Sequence, residues 1–214
     1  MNMPSYQTKR ISAALVLLAL LFYVFIYTPT LTVPYQVIKE DGHFEIRKYE
    51  SVVTAEYLAD GNQEISLQTA RDIFESYTHG NNVPTQKLKE MYPIFMQVSE
   101  RSPSNPTQFL PISEQKYWYI KMPLYTKTVN EILPRPNNAK IALVTVADRT
   151  MAVLKFSGAL TNENVQKHLD ELAKYGEDQK LILIANPIIA VYHHAFWVPK
   201  SMQHNEMMWQ ILTR

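Results

Sequence analysis

From residue 33 onward, stretches in which every second side chain is apolar are interrupted twice by stretches in which apolar residues recur every three to four. Period two puts one apolar face on a strand, and period 3.6 puts one apolar stripe on a helix. The first pattern predicts strands over 35–40, 44–49, 52–58, 94–98, 117–121, 141–146, 151–156, 181–185, 189–192 and 207–212. The second predicts a helix over 62–77, where Ala70, Ile73, Phe74 and Tyr77 fall on one face. Another helix is predicted from Thr161, a good N-cap, with Val165, Leu169, Leu172 and Ala173 in its stripe. Gly80 and Gly176 stand where these helices are expected to end, with Lys174 in the last turn of the second. The prolines in RSPSNPTQFLP and LPRPNN predict loops. Strands, one helix, then strands occurs twice, over about 33–122 and 139–214, which suggests duplication at the level of architecture. The fold class expected is α+β: a duplicated antiparallel sheet or distorted barrel with two packed helices.

The first 32 residues follow neither period. Ile11 to Tyr27 reads ISAALVLLALLFYVFIY, without a charge and apolar on every side. As a helix rising ~1.5 Å per residue it spans about 26 Å, close to the ~30 Å hydrocarbon core of a bilayer. A cleaved signal peptide is the alternative, but that needs a shorter apolar run and a small-residue cleavage site. Here the run ends in the bulky FIYTPTLTVPY. Lys9 and Arg10 precede it and no basic residue follows until Lys39, so the positive-inside rule keeps the N-terminus cytoplasmic. The division expected is a cytoplasmic N-terminus over 1–10, a transmembrane anchor over 11–31 and an exported domain over 32–214, periplasmic if the source is bacterial.

Composition narrows the chemistry. The chain has no cysteine, which excludes disulfides, thiol nucleophiles, Cys-ligated zinc and covalent c-type haem attachment. The net charge is +1, so no long-range field recruits nucleic acid. The five glycines stand singly, so no phosphate-cradling loop or dinucleotide fingerprint can be built from them. There is neither a G-x-S-x-G elbow nor an H-E-x-x-H pair. The six histidines show no zinc-like spacing and read as surface or capping residues. Aromatic groups at Tyr117–Trp118–Tyr119, at Tyr192, Phe196 and Trp197, and at Trp209 suit a core, or an apolar cleft for a flat ligand. In the strand FEIRKY, Phe44, Ile46 and Lys48 share one face, while Glu45, Arg47 and Tyr49 share the other. Lys48 therefore stands at the rim of an apolar surface, its stem along that surface and its ammonium at the edge.

Several stretches in sequence order resemble the SOUL haem-binding family: YQVIKEDGHFEIRKYESVVTAE, YTHGNN, LPRPNNAKIALVTVADRTMAVLKFSGALTNENV and FWVPKSMQHNEMMWQI. Some members carry a histidine, a proposed axial ligand, where this chain has Lys48. The family's Met-Thr-x-Pro-Val is MYPIF here, retaining Met91 and Pro93, and its closing Arg-Arg-Asn-Glu is QHNE, retaining Asn205 and Glu206. The resemblance implies a fold similar to the ligand-binding domains of multidrug-responsive regulators. It also implies non-covalent binding of haem or another tetrapyrrole in an apolar groove, for storage, transfer or scavenging, and no agreed enzymatic reaction. Phe44, Ile46, Lys48, Met91 and Glu206 are the cofactor-binding candidates, with the axial iron ligand left open. Two alternatives stand beside this. One is a binder or hydrolase for another amphipathic or cationic small molecule, using Glu206. The other is a module docking on an envelope protein.

Overall fold

The computed structural model describes residues 31–103, 109–128, 130–192, 199, 201 and 203–213. The expected anchor falls outside these residues apart from its last position; among the described residues no helix is long and apolar enough to cross a membrane. The strands are β1 (Tyr35–Asp41), β2 (Phe44–Tyr49), β3 (Val52–Asp60), β4 (Asn82–Val83), β5 (Ile94–Val98), β6 (Tyr117–Leu124), β7 (Arg135–Pro136), β8 (Ala142–Val146), β9 (Arg149–Ser157), β10 (Leu183–Val191) and β11 (His204–Ile211). The helices are α1 (Gln63–Thr78) and α2 (Asn162–Asp178). The architecture is α+β, a large antiparallel sheet with two helices on it.

Nine strands join in the order β1-β2-β9-β11-β10-β5-β6-β3-β8. From β2 to β8 this order reads the same from either end once β2 is matched with β8, β3 with β9, β5 with β10 and β6 with β11. The two outer hairpins are exchanged between the halves. β2 leaves its chain neighbour β3 and pairs with β9, while β8 leaves β9 and pairs with β3.

Side-chain alternation splits the interior in two. On one face, Ile46, Ala55, Trp118, Ile120, Met122, Leu154 and Met207 pack under Leu67, Phe74 and Tyr77 of α1 and Val165, Leu169 and Leu172 of α2. Each of these large apolar side chains contributes roughly 2 kcal/mol by leaving water. The opposite face gathers Tyr49, Val52, Phe95, Met151, Val153, Ile188, Ala190 and Met208 with Val33 and Met91. The Val33 amide donates to the Tyr92 carbonyl, and the Tyr92 amide to the Leu31 carbonyl, which ties the start of the domain to that face. The helices begin where their caps dictate: the Asn62 side chain accepts from the Ile65 amide, and Thr161 from the Asn164 amide.

Three expectations are corrected. Gly176 lies inside α2, whose C-cap is Gln179. Its role is close approach, because a Cβ there would sit 2.9 Å from Leu183 Cδ1. Gly176→Val should therefore destabilise the fold by about 2 kcal/mol through overpacking, seen as a lower urea midpoint at unchanged slope. The strands predicted over 181–185 and 189–192 are one strand, β10, whose register against β11 shifts between Ile184 and Ile188, with Ala185 at φ 59°. The extra residues bulge without ending the strand. LPRPNN contains β7, which pairs with β4 and joins YTHGNN to it, the Asn137 amide group donating to Asn81 Oδ1 at 2.9 Å.

Candidate ligand-binding site

The face of β2 opposite the helices carries Glu45, Arg47 and Tyr49, and all three are buried. Antiparallel pairing sets Lys155 of β9 directly beside Glu206 of β11. Arg47 therefore reaches across β9 and grips Glu206 with both amino groups, Nη1 to Oε2 at 2.9 Å and Nη2 to Oε1 at 2.8 Å. Its Nε donates to Glu45 Oε2 at 2.6 Å, and Nη1 also donates to the Tyr49 hydroxyl at 2.9 Å. Lys155 donates to the other oxygen of Glu45. The Tyr192 hydroxyl donates to Glu206 Oε2 at 2.9 Å, and His204 Nε2 lies 3.5 Å from Oε1. The Tyr35 ring covers the guanidinium from outside, 4.2 Å from its carbon. Two carboxylates are thus balanced by one guanidinium and one ammonium in a buried cluster.

The electrostatics follow from that balance. Burial works to raise the pKa of Glu206, but hydrogen bonds from His204, Arg47 and Tyr192 with the charge of Arg47 outweigh it and hold the carboxyl at about 2. Glu45 is also held below the usual carboxylate range: burial opposes ionisation, and Lys155 and Arg47 overcome it. Burial, reinforced by the charge of Glu206, pushes the Tyr192 phenol up, so it stays a donor. Arg149, on the same sheet face, has its pKa lowered by burial and enters no ion pair among the described residues.

Lys155 and His204 also line a cavity of about 490 Å³, together with His43, Leu154, Phe156, Lys167, His168 and Glu171. Leu154 and Phe156 supply apolar wall, and the imidazole of His168 stacks on the Phe156 ring at 4.3 Å. His168 Nδ1 lies 2.7 Å from the Asn164 carbonyl oxygen. A carbonyl only accepts, so Nδ1 carries a proton, and the lone pair of a neutral ring would be on Nε2. Among the described residues no group of three or more His, Asp or Glu side chains converges to hold a bare metal ion. A second cavity, of about 520 Å³, is lined by Tyr35, Gln36, Lys48, Tyr49, Glu50 and Asp148. It places two carboxylates around one ammonium, a poor match for an anion.

The structure does not bring the five sequence candidates to one place. Phe44 stacks flat on Tyr175 of α2 at 4.1 Å, and Ile46 is buried in the helix-side core. Lys48, further along that strand face, is exposed beside the second cavity. Met91 lies in the opposite-face cluster, and Glu206 is buried against Arg47. The Phe44–Ile46 surface is covered by the chain's own side chains, because β2 is not an outer wall: β9 flanks it and α2 lies over it. Lys155 and Lys167 were not singled out in the sequence and the three histidines of the first cavity were read there as surface or capping residues, because they stand on different elements and His43 lies more than a hundred residues before the others.

Comparison with known proteins agrees with this fold. The C-terminal domain of EcmrR superposes with a TM-score of 0.57 at 10% identity, covering 84% of this chain and 99% of that one. EcmrR in its DNA complex gives 0.55 at 10% identity, over 96% of this chain and 67% of that one. A hydrolase from Listeria innocua gives 0.51 at 7% identity, over 87% and 95%. No curated protein matches the sequence. At these identities the structural likeness concerns the fold alone. The sequence pattern of the SOUL heme-binding protein family matches residues 30–210. Nearly the whole described domain lies within that match, and the chain belongs to the SOUL heme-binding protein family.

Proposed function

We propose that this protein is a membrane-anchored, extracytoplasmic binder of haem or a related tetrapyrrole, and that the ligand sits in the cavity bordered by Lys155, Lys167, His168 and His204. The observation that carries the location is its charge pattern. A tetrapyrrole is a flat apolar disc with two carboxylates, and this cavity joins apolar wall at Leu154 and Phe156 to Lys167 and to Lys155. The Lys155 ammonium also donates to Glu45, and Glu171 is the one lining carboxylate among the described residues. Its volume falls within the ~300–1,000 Å³ usual for small-molecule sites. Lys167, and Lys155 in competition with Glu45, would receive the carboxylates, and His168 as a neutral ring would offer the iron the lone pair of Nε2. Bound haem would supply a redox-active iron and a strong visible chromophore; the protein's own contribution is orientation and charge. The anchor and its orientation rest on the apolar run over 11–27 and the basic pair before it.

Hemin titration of the full chain in mild detergent tests this. One equivalent should bind with a shifted, sharpened Soret band. Lys167→Glu should weaken uptake about tenfold, or ~1.4 kcal/mol, while Lys48→Glu leaves it unchanged and His168→Ala alters the Soret position. Nonspecific, albumin-like uptake would remove the proposal. A loss confined to Lys48→Glu would move the site to the second cavity.

The reading in which Glu206 receives a cationic small molecule is weakened by Arg47, which already fills that role from within the chain.

A further inference from the structure

Backbone hydrogen bonds fix the direction in which the chain enters this domain. The Tyr92 amide donates to the Leu31 carbonyl and the Val33 amide to the Tyr92 carbonyl, so this first stretch runs parallel to the one around Tyr92. On the other side the Met91 amide donates to the Pro123 carbonyl and the Tyr125 amide to the Lys89 carbonyl, an antiparallel pairing centred on Glu90 and Leu124. Followed backward from Leu31, the chain therefore leaves at the end of the domain that holds Lys89 and, just beyond β6, Tyr125. That end is basic and amphipathic. Leu88 packs on the core, while Lys87 and Lys89 on either side of it are exposed. The Lys89 ammonium lies 5.8 Å from the centre of the Tyr125 ring, and Tyr125 and Leu31 are each 43% exposed. Lys127 follows, also exposed, and none of the three lysines enters an ion pair among the described residues. The adjacent carboxylates are held by the protein itself: Glu90 accepts from the Thr78 hydroxyl and Glu131 from the Lys127 amide, both at 2.6 Å. Register puts the first cavity at the same end of the sheet. Ile94 pairs with Val191, Val191 with Asn205 and Asn205 with Phe156, and Phe156 and His204 line that cavity.

We propose that this end of the domain rests on a bilayer, with Lys87, Lys89 and Lys127 on the phosphates of anionic lipid headgroups and Tyr125 and Leu31 at the level of the interface. The proposal rests on the anchor proposed above and adds the face that the domain turns to the lipid. The occupant follows from where the chain leaves. The apolar run ends at Tyr27, four residues before Leu31, and four residues reach at most ~14 Å. A bilayer holding that run is the one surface always within reach of this end. Lysine beside tyrosine suits it, since the ring sits at headgroup depth and the ammonium among the phosphates. Seated in this way, the domain holds its cavity toward the lipid, where an amphipathic disc concentrates.

The chain lacks cysteine, so single labels report position. Full-length Lys89→Cys and Lys116→Cys would each carry an environment-sensitive fluorophore. Both go into vesicles of phosphatidylcholine, with or without phosphatidylglycerol, that contain a headgroup-nitroxide lipid as quencher. Lys116 is exposed before the far end of β6, roughly 30 Å from Tyr125 at ~3.4 Å per residue. With phosphatidylglycerol present, the label at 89 should be quenched several-fold more than the label at 116. Tethering by itself is indifferent to lipid charge, so phosphatidylcholine alone should lower the quenching at 89. Adding Lys87→Glu and Lys127→Glu to the Lys89→Cys chain should lower it several-fold in the anionic vesicles and leave it unchanged in the neutral ones. A chain that fails to float with either vesicle removes the anchor and this proposal together. A chain that floats, but whose two labels are quenched alike or whose label at 89 ignores lipid charge, overturns this proposal and leaves the anchor standing.

Discussion

Arg47→Met is expected to be the most damaging single substitution on the sheet face opposite the helices. It removes a bidentate partner from Glu206, the Nε donor from Glu45 and a donor to Tyr49, all in a buried cluster. Methionine replaces the stem's volume, so the effect comes from stranded charge rather than from a cavity. Breaking one side of a buried ion pair costs ~3–5 kcal/mol. At ~2–4 °C per kcal/mol for a chain of this size, the melting temperature should fall by roughly 6–20 °C. The pair itself, by contrast, is of small net value once desolvation is counted. Arg47→Met combined with Glu206→Leu should therefore recover most of the loss, since Glu45 keeps Lys155. Thermal melts of both singles and the double complete the cycle; simple additivity would refute the picture of a mutually dependent cluster.

The second large effect is acid sensitivity. Glu206 has an ordinary value of 4.5 and is held at about 2 in the fold. A carboxyl depressed in this way contributes stability that is fully present above pH 4.5 and disappears as the pH falls through about 2. At ~1.4 kcal/mol per pKa unit the contribution is roughly 3 kcal/mol, and Glu45, displaced in the same direction, adds to it. Urea midpoints measured from pH 5 to 2 should decline steeply. Glu206→Gln should start lower at neutral pH and decline less. An unchanged slope in that variant would mean that other carboxyls carry the acid response.

Local pattern made the elements legible. The alternation in FEIRKY and IFMQV gave strands with the observed limits, and Thr161 marked the start of the second helix because a short polar side chain before an apolar stripe has one obvious use. Gly176 was misread because a glycine near the end of a stripe looks the same whether it serves a cap or a close contact. Only Leu183, seven residues on, tells them apart. The polar face of β2 held a readable hint: Glu45, Arg47 and Tyr49 alternate as acid, base and phenol, a set able to satisfy one another without water. Their burial depended on Glu206, 159 residues from Arg47, and no local period carries that distance. The cavity was hidden for the same reason. His43, Lys155, His168 and His204 belong to a turn, a strand, a helix and another strand, and only the sheet order brings them together.

The exchanged hairpins also bear on how the chain matures. β2 finds its neighbour β9 only after the intervening helix and strands have been made, as Glu45 and Lys155 at 110 residues' separation illustrate. While the polypeptide is still being synthesised, the early strands emerge with one outer member unmatched. They stay open to unwanted association until the later part arrives. A product cut short between the halves would leave β2 without β9 and β3 without β8. It would be a fragment in need of a chaperone rather than a smaller working protein.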